Sequence, residues 1–127
     1  MKKVILLLSF LGIVVSLAGQ SVETITRALK SGDAKALIPY LDSNVEIAVP
    51  GKEDILPKDE AVAVLDNFFL KNRPQHFSEM HQGRSKGQDS KYIIGNLNTA
   101  NGTFRVYIYM KNQNGQFAIQ ELRIDRE

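Results

Sequence analysis

Apolar and polar residues alternate through the last third of the chain. Lys91–Thr99, Thr103–Lys111 and Gln116–Asp125 each carry the pattern, with Asn101-Gly102 and Asn114-Gly115 between them. Period-two alternation marks a half-buried strand, and Asn-Gly between two such runs is the strongest short-range hairpin signal. His76–Arg84 predicts a further strand, joined to the next by a loop around Lys86-Gly87-Gln88. Upstream the period lengthens. Val22, Ile25 and Leu29 form a helical stripe that Ser21 caps and Ser31-Gly32 ends. Asp33 opens a second short helix, which Pro39 kinks or shortens. Asn44–Pro50 alternates as a strand, and GKEDILPKDE reads as a loop with Pro57 placed to open a helix. Ala61, Val64, Leu65, Phe68 and Phe69 give that helix a wide apolar face, and Pro74 stops it.

The two Asn-Gly pairs set a register that can be checked for consistency. A two-residue loop at Asn101-Gly102 puts Leu97 opposite Val106 and Ile93 opposite Met110. The same loop at Asn114-Gly115 puts Met110 opposite Ile119, after which the apolar phase slips from odd to even positions. One extra residue near Gln120-Glu121, a β-bulge, repairs it. Ile93, Leu97, Phe104, Val106, Ile108, Met110, Phe117, Ile119, Leu122 and Ile124 then share a core face. The opposite face carries Tyr92, Ile94, Arg105, Tyr107, Tyr109 and Arg123, with Tyr107 beside Arg123 and Arg105 beside Asp125. Tyrosine and arginine on a half-apolar surface are favoured at interfaces, so these six are the candidate interface. The alternative is a solvated outer face with aromatic pairs and one exposed ion pair.

Charge and composition change the picture at the N-terminus. Lys2-Lys3, an uncharged run from Val4 to Leu17 and a small-residue exit are the three parts of a secretory signal. Ser16 and Ala18 fit the −3 and −1 positions, so cleavage is expected after Ala18, with Gly19 as second choice. The 14-residue run is shorter than the ~20 residues of a membrane span. The expected product is exported, periplasmic or secreted, with no membrane segment after cleavage. Loss of Lys2 and Lys3 leaves 14 basic against 14 acidic residues, without the basic excess that nucleic-acid binding needs. The chain has no cysteine, which excludes disulfides and thiol chemistry. Residues 21–127 suffice for one core and are too few for two domains.

The segments ALKSGDAKALIPYLDSNVEIAVPG (Ala28 to Gly51) and KDEAVAVLDNFFLKN (Lys58 to Asn72) resemble short NTF2-like proteins exported by Bacteroidetes, the DUF4783 domain family of unknown function. The resemblance covers nearly all of residues 21–127. It implies an α+β cone of the NTF2-like (cystatin-like) superfamily, with three helices packed on a curved, mainly antiparallel sheet. It carries little about activity, because one such fold hosts enzymes, binders and scaffolds alike.

Ketosteroid isomerase-like members of that superfamily carry a carboxylate base on the strand after the second helix. The matching stretch here, Ile47-Ala48-Val49-Pro50, has no acid, and alternation turns Glu46 away from Val45, Ile47 and Val49. His76 and His81 lie five apart, which in a regular strand sends them to opposite faces. No metal-ligand spacing, nucleophile motif or phosphate loop is present, so no catalytic residue, metal or cofactor is assigned. The first reading is therefore a non-enzymatic interaction or binding module that forms a homodimer through its outer sheet face. The alternative is a small-molecule binder, or an isomerase- or dehydratase-like enzyme, that uses the cone for a small apolar ligand. Tyr40, Phe68, Phe69, His76 and Met80 are its candidate lining, with His76 the better candidate for a catalytic histidine.

Overall fold

The computed structural model describes residues 17–85, 87 and 89–127, with side chains described from Ser21 onward. Apart from Leu17 and Ala18, the signal segment expected at residues 1–18 lies outside them. In chain order the elements are α1 (Leu17–Ser31), a 3-10 segment (Ala34–Tyr40), β1 (Leu41–Val49), β2 (Lys52–Pro57), α2 (Lys58–Lys71), β3 (Pro74–Arg84), β4 (Ser90–Thr99), β5 (Gly102–Gln113) and β6 (Gln116–Arg126). The six strands make one sheet in the order β2-β1-β6-β5-β4-β3. Every neighbouring pair is antiparallel except β1 with β6, so the sheet is mixed. Helix α1 packs on β3 and on the 3-10 segment, while α2 packs on β1, β2 and the 3-10 segment.

The helical segments follow local chemistry. Val22, Ile25, Ala28 and Leu29 form the buried stripe of α1. Ser21 lies inside this helix, not at its cap, because the helix begins at Leu17. The second helix is a 3-10 segment, consistent with Pro39 near its end. The Asp33 side chain accepts from the Ala36 amide at 3.3 Å and closes its first turn. Pro57 stands at the N-cap of α2, with Asp59 and Glu60 in the first turn and Lys71 in the last, each complementing the helix dipole.

One predicted loop is a strand. Lys52–Pro57 pairs with β1 through a two-residue turn, Pro50-Gly51, with Gly51 at φ 85°. Proline followed by a residue at positive φ is the requirement of a type II turn. Only Leu56 of β2 is buried, so its stability comes from the backbone ladder and leaves no side-chain alternation to read.

The bulge predicted in β6 is present. Tyr109 faces Glu121 while Met110 faces Ile119, leaving Gln120 as the extra residue. Its side chain donates to Asp42 Oδ2 at 2.7 Å, and Gln113 donates to the same oxygen at 3.1 Å. Asp42 lies in the stretch of β1 where the register with β6 shifts, so the two irregularities are tied together. The Asn114-Gly115 turn stands as expected, with both residues at positive φ.

The β4–β5 register differs by two residues from expectation. Leu97 faces Phe104 and Ile93 faces Ile108, and the loop is Ala100-Asn101. The reason is tertiary. Asn101 Nδ2 donates to Lys71 O at 2.5 Å and to Asn72 Oδ1 at 3.3 Å, closing the end of α2, while Thr99 Oγ1 donates to Gly102 O at 2.8 Å. A shift of two keeps every side chain on its face. All ten predicted core residues are accordingly buried except Phe117, which packs half-buried against the core.

Candidate functional site

The outer face of the sheet is read row by row from the register. In one row Tyr92 of β4 faces Tyr109 of β5, which faces Glu121 of β6, which neighbours Glu46 of β1. In the next, Ile94 faces Tyr107, Tyr107 faces Arg123, and Arg123 neighbours Ala48. In the third, Asn96 faces Arg105, which faces Asp125. The six candidate interface residues therefore form one contiguous, half-buried patch over three adjacent strands. The helices lie on the other face.

The rim of this patch is polar and internally paired. Tyr92 Oη lies 2.9 Å from His81 Nε2, and the two rings sit 5.5 Å apart. Arg105 Nε donates to Asn96 Oδ1 at 3.1 Å, and its guanidinium pairs with Glu127 at 2.8 Å. The ion pair of Arg105 is thus made with Glu127, although Asp125 is its register partner. Arg123 is shared by three carboxylates, Glu121 at 3.3 Å, Glu53 at 3.4 Å and Glu46 at 3.9 Å. Its pKa is raised above the ordinary arginine value, first by the hydrogen bond it donates to Glu121 and then by the Glu53 charge. The Tyr107 phenol is pushed above its ordinary value by burial and then by the Glu121 carboxylate. A tyrosine already partly desolvated loses little further hydration when a partner covers it.

Glu46 has its carboxylate on this outer face, and the core-facing part of β1 carries Val45 and Ile47, both fully buried. The two histidines do not point to opposite faces. Met80 is an extra residue in β3, so His76 pairs with Asn98 and His81 with Ile94, both on the outer side. Among the described residues no cluster of three or more His, Asp or Glu gathers as a metal site.

The five residues proposed to line the cone are dispersed. Phe69 is core, Tyr40 packs half-buried against it, and His76 and Met80 are exposed on β3. Phe68 does line a recess, of about 300 Å³, between α2, the β1–β2 turn and the ends of β5 and β6. Lys52, Lys71, Arg126, Val64 and Phe104 also line it. The sequence reading missed this group. Its one available signal was Arg126, which continues the core-facing positions Leu122 and Ile124 one step too far for a buried row.

At the other end of the sheet Lys91 is 4% exposed, its ammonium 4.7 Å from the centre of the Phe117 ring. Burial, and then Arg84, lower its pKa.

Residues 22–125 match the domain family described as DUF4783, a domain of unknown function. The chain belongs to the DUF4783 family. Solved structures of family members agree in fold. A DUF4783 family protein from Bacteroides ovatus is 33% identical, with a TM-score of 0.77 over 82% of this chain and 93% of that one. One from Bacteroides uniformis is 30% identical, with a TM-score of 0.78 over 83% and 95%. An NTF2-like protein of unknown function from Silicibacter pomeroyi, at 15% identity and a TM-score of 0.61 over 87% and 92%, shares the fold alone. The DUF4783 domain here is thus an NTF2-like α+β fold with a six-stranded mixed sheet. None of the curated proteins matches the chain.

Proposed function

We propose that this DUF4783 protein is an exported, non-catalytic interaction module that pairs with a second copy of itself through the outer sheet face. The observation that carries the reading is the contiguous patch of Tyr92, Ile94, Tyr107 and Tyr109, half-buried on the face opposite the helices. An isologous pair needs a self-complementary surface. This one has apolar rings at the centre and, toward β6, Arg105 with Glu127 and Arg123 among Glu46, Glu53 and Glu121, so either sign can meet its opposite across a two-fold axis.

Size limits the geometry. Three half-exposed tyrosines and Ile94 offer on the order of 300 Å². A stable interface buries roughly 800 Å² per partner. The contact must therefore reach the arginines on one side and His81 on the other.

Because the chain has no cysteine, a single introduced thiol reports proximity without background. Ile94→Cys, at the patch centre, is expected to form a covalent dimer under mild oxidation, whereas Glu60→Cys on α2 is not. Equal cross-linking of both, or none of either, would sink the reading.

A further inference from the structure

The recess at the open end of the cone has a one-sided charge. Lys52 comes from β2, Lys71 from α2 and Arg126 from β6, and the lining contains no aspartate or glutamate. Among the described residues no carboxylate lies within ion-pairing distance of any of the three, whereas Arg27 and Arg105 each hold one and Arg123 holds three. Lys30, Lys58 and Lys111 also hold no carboxylate among the described residues, so what sets this recess apart is that three such cations from separate elements line one space. Three cations brought together from separate elements repel one another, and an anion between them removes that repulsion.

Beneath the cations the recess is apolar. Phe104 is fully buried and meets Phe68 edge to face, ring centres 5.1 Å apart. Val64 adds an aliphatic wall. The Arg126 guanidinium lies 4.8 Å from the centre of the Phe104 ring and donates one N–H to Asn101 O at 3.1 Å. A guanidinium held by these two contacts keeps the other N–H groups of its planar fork for a carboxylate. The end of α2 would ordinarily repel an anion through its free carbonyls. Here Phe68 O accepts from the Asn72 backbone amide at 2.9 Å and from its side chain at 3.1 Å, and Lys71 O accepts from Asn101. Two of the last four carbonyls of the helix are thus engaged, which weakens that repulsion.

We propose that this recess binds a small organic carboxylate with an apolar body, of the medium-chain fatty acid class. The head sits between Lys52, Lys71 and Arg126, and the chain lies along Val64 and the accessible edge of Phe68. The volume of about 300 Å³ falls at the lower end of the range for small-ligand sites, which suits a chain of medium length and not a long acyl chain. This inference is independent of the sheet-face reading, since no residue is common to both.

Calorimetric titration with octanoate, 1-octanol and octylamine separates charge from apolar content, because the three share one hydrocarbon body. The expected order is octanoate tighter than octanol by about tenfold or more, with octylamine weakest. Arg126→Gln and Lys71→Gln replace exposed side chains, so both variants keep the fold, as unchanged thermal melts will verify. Each is expected to weaken octanoate by about tenfold and leave octanol unchanged. Tyr107→Glu, which acts on the sheet face, leaves octanoate binding as it was. Octanol binding as tightly as octanoate, octanoate binding that ignores both substitutions, or no octanoate binding at about 10 mM overturns the proposal.

Discussion

Tyr92 and His81 are bound across the outer edge of the sheet, the phenol oxygen 2.9 Å from Nε2. The Tyr92 ring lies over Gly83, so close that a Cβ built there would fall inside the ring's van der Waals envelope. The absence of a side chain at 83 therefore decides where the tyrosine lies, and with it the β3 side of the proposed contact surface. On the core side Phe77 covers Gly95 in the same manner, with Ser78 O close by.

These two glycines should respond differently to the same change. At Gly83 the obstructing atoms are the far end of a half-exposed side chain, which can swing away. Gly83→Ala is expected to cost under about 1 kcal/mol and to break the Tyr92–His81 bond. At Gly95 the obstruction is a ring only 4% exposed together with backbone, so Gly95→Ala is expected to cost about 2–3 kcal/mol. Urea unfolding of both variants, with His81 side-chain shifts followed by NMR, checks the contrast.

Gln120 is expected to matter through Asp42. Gln120→Ala removes a part-buried hydrogen bond to a carboxylate and should cost about 1–2 kcal/mol. Asp42→Ala loses the bonds from both Gln120 and Gln113 and should cost more. The double variant Gln120→Ala/Asp42→Ala should be less destabilised than the sum of the singles, because the bond can be lost only once. Additive costs in the cycle would mean the two side chains are not coupled.

Lys91 should make stability rise with pH. Its folded-state pKa is lowered, chiefly by burial, below the ordinary 10.5. Between that lowered value and 10.5 the unfolded chain holds more protons than the folded one, so stability increases with pH across this window. Below the window the cost of the buried ammonium is present in full, and the contact with Phe117 offsets only part of it. Lys91→Met is expected to stabilise by roughly 1 kcal/mol at neutral pH and to flatten the rise. The raised Tyr107 pKa acts the other way above pH 10, where the folded state keeps a proton that the unfolded state has lost. Unfolding free energies from about pH 8 to about pH 10 test the Lys91 effect before Tyr107 intervenes.

What was legible in the sequence depended on burial. The core face of β4, β5 and β6 could be read because alternate residues are hidden from water, and the bulge at Gln120 because Ile119 and Leu122 are out of phase without it. β2 was not legible, since it buries only Leu56 and is held by backbone bonds. The β4–β5 register was missed because Asn101 is occupied at the end of α2, thirty residues away in sequence. The outer-face patch followed directly from the alternation. The recess did not, because Lys52, Lys71 and Arg126 converge only when β2, α2 and β6 are brought together.

Tyr107→Glu bears most directly on the proposed pairing. It sets a carboxylate opposite Arg123 in the same row, so the fold should accept it, while a copy facing that row should not. Light scattering of the protein and of Tyr107→Glu across a concentration series gives the mass of each in solution. The account predicts a dimer for the unaltered chain and a folded monomer for the variant. A monomer in both samples, or a dimer that the substitution leaves intact, would contradict it.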